Sequence, residues 1–320
     1  MKIIKIYRDN ESPTYFTVDW MLHDRCTYNC SYCPPANKSG TDSWLNLETL
    51  DEFCEELEQH VRTVNPDYKI HCLFTGGEPT VWKDFGELVS RIHARGWPIT
   101  VNSNGSRSLR WWKEYVNQFS QIILSYHTES VIDDEFLEKL SVCQENAWTV
   151  LNIMMNPNPK YFEKALEFSK RVIHEFPYVI VNHHRIQYDF GLQKINVTPY
   201  TIEQLEILNK LEDRYPIFKP FKPTAPLNLL VEHKSGEVTR LEPMELIRTD
   251  SANFNGWECY SGLEGIFIDA RGDIMRGTCR VGGTIGNIQD PKNISWPTDP
   301  VVCSRNWCGC VTDIMTSKTK

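Results

Sequence analysis

The sequence predicts an α/β fold followed by a smaller, cysteine-rich β-hairpin and helix domain. From residue 15 to about 215, strand-like runs alternate with amphipathic helical stretches six times, and such alternation argues for parallel strands joined by right-handed helical crossovers. Five of the eleven cysteines (Cys259, Cys279, Cys303, Cys308 and Cys310) then crowd into the last quarter of the 320 residues. Between the two parts, the proline-rich run Pro216–Pro223 reads as a linker. The division expected is residues 1–225, with the repeating core over 15–215, and residues 226–320.

Met1–Arg8 breaks its apolar residues with charges and reads as a strand, not a signal peptide. Tyr15–Leu22 is the first strand of the repeating part. Leu50, Phe53, Leu57, Val61 and Val64 recur at helical spacing, so residues 46–64 form an amphipathic helix. Ile70–Phe74 is a short buried strand. Residues 82–95 are a helix with Phe85, Leu88, Val89 and Ile92 on one face. Ile99–Asn102 is a strand closed by the turn pair Asn104-Gly105, and 107–118 a helix. Ile122–Tyr126 is the fourth strand, 132–144 its helix, and Val150–Met155 the fifth strand, stopped by Asn156-Pro157. The helix over 160–174 turns Phe162, Ala165, Leu166 and Val172 inward. Tyr178–Asn182 is the sixth strand and 201–213 its helix. In the last part, Gly265–Arg276 reads as a hairpin turning near Asp269–Asp273, which brings Cys259 and Cys279 to one end.

Composition narrows the function. The net charge of −8 argues against a nucleic-acid partner, whose phosphates need a basic face. No run of about 18 apolar residues suggests a membrane span. With no export signal the cysteines are expected to be reduced thiols in the cytoplasm, serving as metal ligands or core residues instead of disulfides. Cys54, Cys72 and Cys143 fall in apolar patterns and read as core, since free cysteine is commonly buried. Cys143 is kept as a hydrogen donor for one alternative below.

The most informative segment is Cys26-Thr27-Tyr28-Asn29-Cys30-Ser31-Tyr32-Cys33, a C-x3-C-x2-C spacing directly after an extended apolar run. Three thiolates so close together can hold three irons of a cubane cluster, each iron taking one thiolate and the fourth left open. A zinc knuckle is the competing reading, because short C-x2-C pairs are also zinc signals. Gly76-Gly77-Glu78-Pro79 follows the second strand. The two motifs in this order, with the aromatic Tyr32 before the last cysteine, resemble the signature of the radical S-adenosylmethionine (radical SAM) enzymes.

That resemblance implies an open, partial (β/α)6 TIM-like barrel with its site at the C-terminal strand ends. It implies a 4Fe-4S cluster on Cys26, Cys30 and Cys33 whose open iron binds S-adenosylmethionine, cleaved reductively to a 5′-deoxyadenosyl radical. The cofactor-contacting positions it implies are Tyr32, Gly76, Gly77, Glu78, Pro79, Ser103, Asn104, Ser125, Asn152 and Met154. A flavodoxin- or ferredoxin-type protein would supply the electron. Residues 226–320 are similar to the small auxiliary-cluster domain called twitch, the short form of SPASM. Four of Cys259, Cys279, Cys303, Cys308 and Cys310 would then close a second 4Fe-4S cluster, with Cys259 or Cys303 as the one left over and four-thiolate zinc as the competitor.

For the substrate, a small molecule or a peptide, the candidate catalytic groups are His127 and Glu129 after the fourth strand and His183 and Arg185 after the sixth. Histidine can take a proton near neutrality and arginine can clamp a carboxylate or phosphate. The expected reaction is oxidation or bond formation after hydrogen abstraction, assisted by the auxiliary cluster. The alternatives are a redox-neutral epimerase with a cysteine hydrogen donor and, from another class, a zinc-stabilised non-catalytic binding protein.

Overall fold

The computed structural model describes residues 2–8, 15–40, 46–186, 199–211 and 229–320. The Pro216–Pro223 linker and the boundary at 225 lie outside the described residues. In chain order the elements are β1 (Ile3–Arg8), β2 (Tyr15–Met21), α1 (Leu50–Val64), β3 (Lys69–Thr75), α2 (Phe85–Ala94) and β4 (Ile99–Ser103). Then come α3 (Leu109–Tyr115), β5 (Gln121–Tyr126), α4 (Asp133–Asn146), β6 (Trp148–Met155), α5 (Pro159–Glu175), β7 (Ile180–Arg185) and α6 (Ile202–Lys210). Next are β8 (Leu229–His233), β9 (Val238–Leu241), α7 (Pro243–Arg248), β10 (Glu258–Cys259), β11 (Gly265–Ile268) and β12 (Asp273–Met275). The chain ends on β13 (Thr284–Asn287), β14 (Val301–Val302), α8 (Val311–Ile314) and β15 (Lys318–Thr319). The six strand–helix pairs run from β2–α1 to β7–α6, the mixed α/β pattern the sequence predicts. Among the described residues no helix is long and apolar enough to cross a membrane.

The chain divides into two compact units, 1–22 with 43–73 and 223–320, and 23–42 with 74–222. In the second unit β4, β5, β6 and β7 lie side by side, all parallel. Helices bury one face each against it. Phe85, Leu88, Val89 and Ile92 of α2 are fully buried, as expected from their spacing. On α5 the buried stripe is Phe162, Ala165, Phe168, Ser169 and Val172. Leu166, read as inward, is only partly buried, because the 3.6-residue period passes through Phe168 and Ser169 instead. Phe168 stacks on Tyr126 with ring centroids 3.6 Å apart. β7 continues to Arg185, so His183 and Arg185 lie within the sixth strand and not after it. The ladder holds Ile153 beside His183 and Met155 beside Arg185. Among the described residues β7 ends the order of this sheet, and an edge strand tolerates polar residues that a central one would not.

The first unit holds β13, β12, β11, β2 and β3 in that order, with β11 parallel to β2 and antiparallel to β12. The β11–β12 hairpin turns at residues 269–272, where the Asp269 backbone N–H and the Gly272 N–H close the turn. A second, antiparallel sheet runs β14-β10-β15-β1-β8-β9, so the N-terminal strand is sewn between segments from the C-terminal part. Its core gathers Ile6, Leu229, Val231, Leu246, Phe254, Trp257 and Ile314 around Cys303 and Cys308. Cys54, Cys72 and Cys143 are fully buried.

Candidate active site

The loop after β2 is held in shape by the turn after β3. Gly77 donates its N–H to His23 O at 2.8 Å and Glu78 donates to Arg25 O at 2.6 Å, a short backbone pairing between the two motifs. A Cβ on Gly77 would sit 2.0 Å from Arg25 O, so the pairing admits only glycine there. Gly76 holds a φ of 129°, a conformation that L side chains avoid.

Glu78 is wholly buried, and its carboxylate is filled from within. Oε1 accepts from Thr80 Oγ1 at 2.7 Å and Ser103 Oγ at 2.7 Å, and Oε2 accepts from Asn104 N at 2.6 Å. Burial raises its pKa while these donors oppose the shift. Asn104 then turns its amide to Cys26 Sγ at 3.5 Å and Thr27 Oγ1 at 3.2 Å. Glu78 therefore reaches the first cysteine through one residue. Pro79 opens the 3-10 turn that Glu78 caps.

The other end of the cysteine loop is held from β5. Ser31, between Cys30 and Cys33, donates its N–H and its hydroxyl to the Glu129 carboxylate at 2.8 and 2.6 Å. Asn156, just past β6, donates to the same carboxylate at 2.6 Å. Tyr32 OH lies 2.7 Å from His127 Nδ1, and the two rings stack. Burial pushes His127 down to about 4 and pushes Tyr32 well up. Burial also raises the Cys30 thiol to about 11 and lifts Cys26 and Cys33.

Strand alternation lines one face of the parallel sheet with polar groups at a single level. Ser125 Oγ donates to Asn102 Oδ1 at 3.2 Å, and Asn182 donates to Asn152 Oδ1 at 3.2 Å. Ser125 lies beside Asn152, and Asn152 beside Asn182, in the ladder. Ile123, Val150 and Ile180 pack with Trp148 below them. One residue pair further along, Met154 packs against the group of Cys30, Tyr32, Tyr28 and Cys33. Ser125, Asn152 and Met154 thus share a face. Asn102 and Asn182 are additions that register counting from Ser125 can find. No sequence signal links Ser31 to Glu129, because their loops are 98 residues apart.

His183 is on the opposite face. Its Nε2 lies 2.7 Å from Ser169 Oγ of α5. Arg185 is exposed and donates to Asn209 at 2.6 Å. A cavity of about 420 Å³ opens beside the cysteine loop, lined by Thr27, Thr80, Arg107, Arg110 and Trp111 among others.

Strand pairing and loop hydrogen bonds fix the backbone at the C-terminal cysteines. Cys259 on β10 faces Val301 on β14, and Cys303 donates its N–H to Trp257 O at 2.8 Å. Cys308 N–H reaches Ala252 O at 2.9 Å. The Arg305 guanidinium bonds Cys279 O at 2.8 Å, tying the hairpin side to the 303–308 loop. Burial raises Cys279 to about 12, and Asp313 and the Cys259 and Cys303 thiols add to the shift. Cys308 is raised by burial, with Cys259 and Cys279 adding. Cys310 instead lies 2.9 Å from Thr312 Oγ1, which donates to Asp19 at 2.8 Å.

Among the described residues no three His, Cys, Asp or Glu side chains crowd together as ligands of one metal ion. A cubane iron–sulfur cluster takes one thiolate at each iron corner. The loop fits such a cluster by its chemistry: all eleven cysteines are free thiols, and Cys26 Sγ already accepts N–H bonds from Tyr28 at 3.3 Å and Asn104, the kind that tune cluster sulfurs.

A family model described as the radical SAM superfamily matches residues 20–189. The 7-carboxy-7-deazaguanine synthase of Bacillus cereus is 23% identical over 195 residues, covering 59% of this chain and 73% of that protein. The GTPase Obg of Brachyspira hyodysenteriae is 34% identical over 93 residues, 28% of this chain and 13% of that protein. Among solved structures, Streptococcus suis SuiB bound to the precursor peptide SuiA shares the fold with a TM-score of 0.51 at 14% identity, covering 89% of this chain and 65% of that one. The chain thus spans less than two thirds of SuiB and a small part of the GTPase. A partial TIM-like barrel fits both that likeness and the parallel strands. The match over residues 20–189 takes in more than half of the chain, both motifs and all four parallel strands of the second unit, and so this chain belongs to the radical SAM superfamily, enzymes built around S-adenosylmethionine and a 4Fe-4S cluster.

Proposed function

We propose that the chain abstracts a hydrogen atom from a small-molecule or peptide substrate and passes one electron to an auxiliary 4Fe-4S cluster held by Cys259, Cys279, Cys303 and Cys308. The net reaction is then an oxidation or a bond formation. The reading is supported by the backbone ties that gather these segments: Cys259 pairs with β14, Cys303 and Cys308 bond the Trp257 and Ala252 carbonyls, and Arg305 links Cys279 to the same loop, while Cys310 contacts Thr312. It departs from the sequence expectation that Cys259 or Cys303 is the spare.

With both cofactors bound, the cluster on Cys26, Cys30 and Cys33 supplies the one-electron cleavage of S-adenosylmethionine to a 5′-deoxyadenosyl radical. The protein's part is orientation and exclusion of water. Glu78 fixes Ser103 and Asn104 from behind, and Asn104 fixes Cys26. Ser125, Asn152, Asn102 and Asn182 offer hydrogen-bonding groups to cofactor and substrate, with Met154 and Tyr32 as the apolar side. His127 and Glu129 serve the cysteine loop, whereas Arg185 shares with His183 the face away from Asn152 and Met154 and bonds Asn209, so the substrate cation expected there is not on the polar face. Arg107 and Arg110 beside Thr27 suit an acidic flavodoxin- or ferredoxin-type donor. The precursor peptide in the SuiB structure favours a peptide substrate. Redox-neutral epimerisation is the weaker reading, because Cys54, Cys72 and Cys143 have no exposure from which to return hydrogen.

The test is iron and zinc content with EPR spectra of the anaerobically reconstituted chain, against the Cys26→Ala/Cys30→Ala/Cys33→Ala variant. The expected result is two clusters' worth of iron falling to one, with S-adenosylmethionine cleavage abolished. Zinc instead of iron in the variant would sink the auxiliary cluster.

A further inference from the structure

Lys318 is the most deeply buried charged side chain that pairs with no carboxylate in the C-terminal sheet. It is 1% exposed. Its ammonium donates to Asp313 O at 2.6 Å, Thr316 O at 2.7 Å and Ile314 O at 3.3 Å, and sits 5.0 Å from the Phe254 ring centroid. Among the described residues no carboxylate lies within ion-pairing distance of it. The buried acid close by, Asp313, spends its oxygens on the Thr278 N–H and hydroxyl and on the Cys279 N–H.

Carbonyl acceptors satisfy the donors of Lys318, and capping a helix end would account for two of them. It does not account for the burial. α8 has only four residues, so its dipole is slight, and a capping lysine ordinarily keeps its charge in water. A charge taken out of water needs an opposite charge or it is strongly destabilising.

The register shows which group faces it. Lys318 on β15 stands directly across from Cys259 on β10, and such cross-strand neighbours have Cβ atoms about 5 Å apart. Phe254 belongs to the same apolar cluster as Cys303 and Cys308. Neutral thiols cannot balance an ammonium, but four thiolates on an iron–sulfur cube leave the whole group anionic.

We propose that Lys318 is the counter-cation of the cluster held by Cys259, Cys279, Cys303 and Cys308, and that it raises that cluster's reduction potential so that it accepts an electron more readily. This rests on the auxiliary-cluster reading given under Proposed function. Net charge near a cluster is one of the determinants of its potential, and reduction adds a further negative charge that a fixed cation stabilises.

The experiment uses the full chain carrying Cys26→Ala, Cys30→Ala and Cys33→Ala, so that only the C-terminal site binds iron. Lys318→Met, Lys318→Gln and Lys318→Arg are compared with the parent by iron content and by the EPR signal of the reduced cluster during a mediated redox titration. The parent's iron content tests the auxiliary cluster itself, and the titration tests Lys318. The neutral variants are expected to shift the oxidised-to-reduced ratio about tenfold toward the oxidised form, which is about 59 mV for a one-electron couple. Lys318→Arg is expected to follow the parent. If Lys318→Met and Lys318→Gln lose iron while Lys318→Arg keeps it, the need for charge is upheld. Lys318→Gln keeps a donor for the carbonyls, so iron retained there at the parent's potential would reduce Lys318 to a cap and overturn the proposal, as would loss of iron in all three variants.

Discussion

In the first cysteine group every thiol comes from eight consecutive residues, Cys26 to Cys33, and the surrounding protein only braces the loop. In the second, Cys259, Cys279, Cys303 and Cys308 span 50 residues and arrive from a strand end, a hairpin flank and a loop. The first is a local object held by polar partners: Glu78 through Asn104 at one end, Glu129 through Ser31 at the other. The second is a product of sheet register, packed among apolar side chains with one buried lysine across from it. Disturbing the brace should therefore empty the first group and spare the second.

The sharpest form of that contrast is Gly77→Ala. The added Cβ would meet Arg25 O at 2.0 Å, a backbone atom that cannot rotate away. The two motifs must then part. A cost of about 3 kcal/mol is expected, at the upper end of overpacking effects, along with loss of the iron bound at Cys26, Cys30 and Cys33 and of S-adenosylmethionine cleavage. Iron at the C-terminal cysteines should persist. Iron assays on the single variant decide this, and loss of both clusters together would break the separation between the regions.

Glu129 tests the other end of the brace with a smaller effect. Glu129→Gln keeps the size of the side chain but replaces one acceptor with a donor facing Ser31. Partners of metal ligands typically contribute 10- to 100-fold to metal retention, and a loss of about that size is expected in a chelator challenge, with a changed EPR line shape for the first cluster alone. If cluster retention and spectrum are unchanged while substrate turnover falls, Glu129 acts on the substrate, as its sequence position after a barrel strand suggests.

Legibility follows the same divide. Both motifs of the first group could be read directly because the chemistry sits within one turn of chain, and the six strand–helix units could be read because periodicity is local. The brace could not. Nothing in the sequence near Glu129 announces that it meets Ser31, and β7 ran three residues past the predicted end because a ladder with β6 outweighed the polar run Asn182–Arg185. In the C-terminal part the five cysteines were visible but not their grouping. That depends on which strands neighbour β10, and β1 enters that sheet from the other end of the sequence. The strands β9, β14 and β15 are only 4, 2 and 2 residues long, too short to show a period in the sequence.

The smallest effect concerns acid, and it bears on the unit that carries the second group. His71 on β3 is 3% exposed, and burial, with the Arg8 charge adding, pushes it down from 6.5 to about 4. Above pH 6.5 it is neutral in folded and unfolded chains alike and contributes no pH dependence. Between pH 6.5 and 4 the unfolded chain takes up a proton that the folded chain refuses, so stability falls as pH falls through that window. At 1.36 kcal/mol per unit the loss is about 2 kcal/mol by pH 5 and about 3 kcal/mol by pH 4. Phenylalanine fills nearly the same space beside Tyr15, whose ring lies 5.9 Å from His71, and has no proton to gain. Urea unfolding of the iron-free chain at pH 7 and pH 5 should show His71→Phe gaining about 2 kcal/mol on the wild type over that interval. Other buried groups shape the slope that remains: burial lowers His23 and His127 to about 4 and lowers His60, and it raises Asp19 to about 7, which acts in the opposite sense. Parallel profiles for variant and wild type would mean that His71 takes its proton in the folded chain.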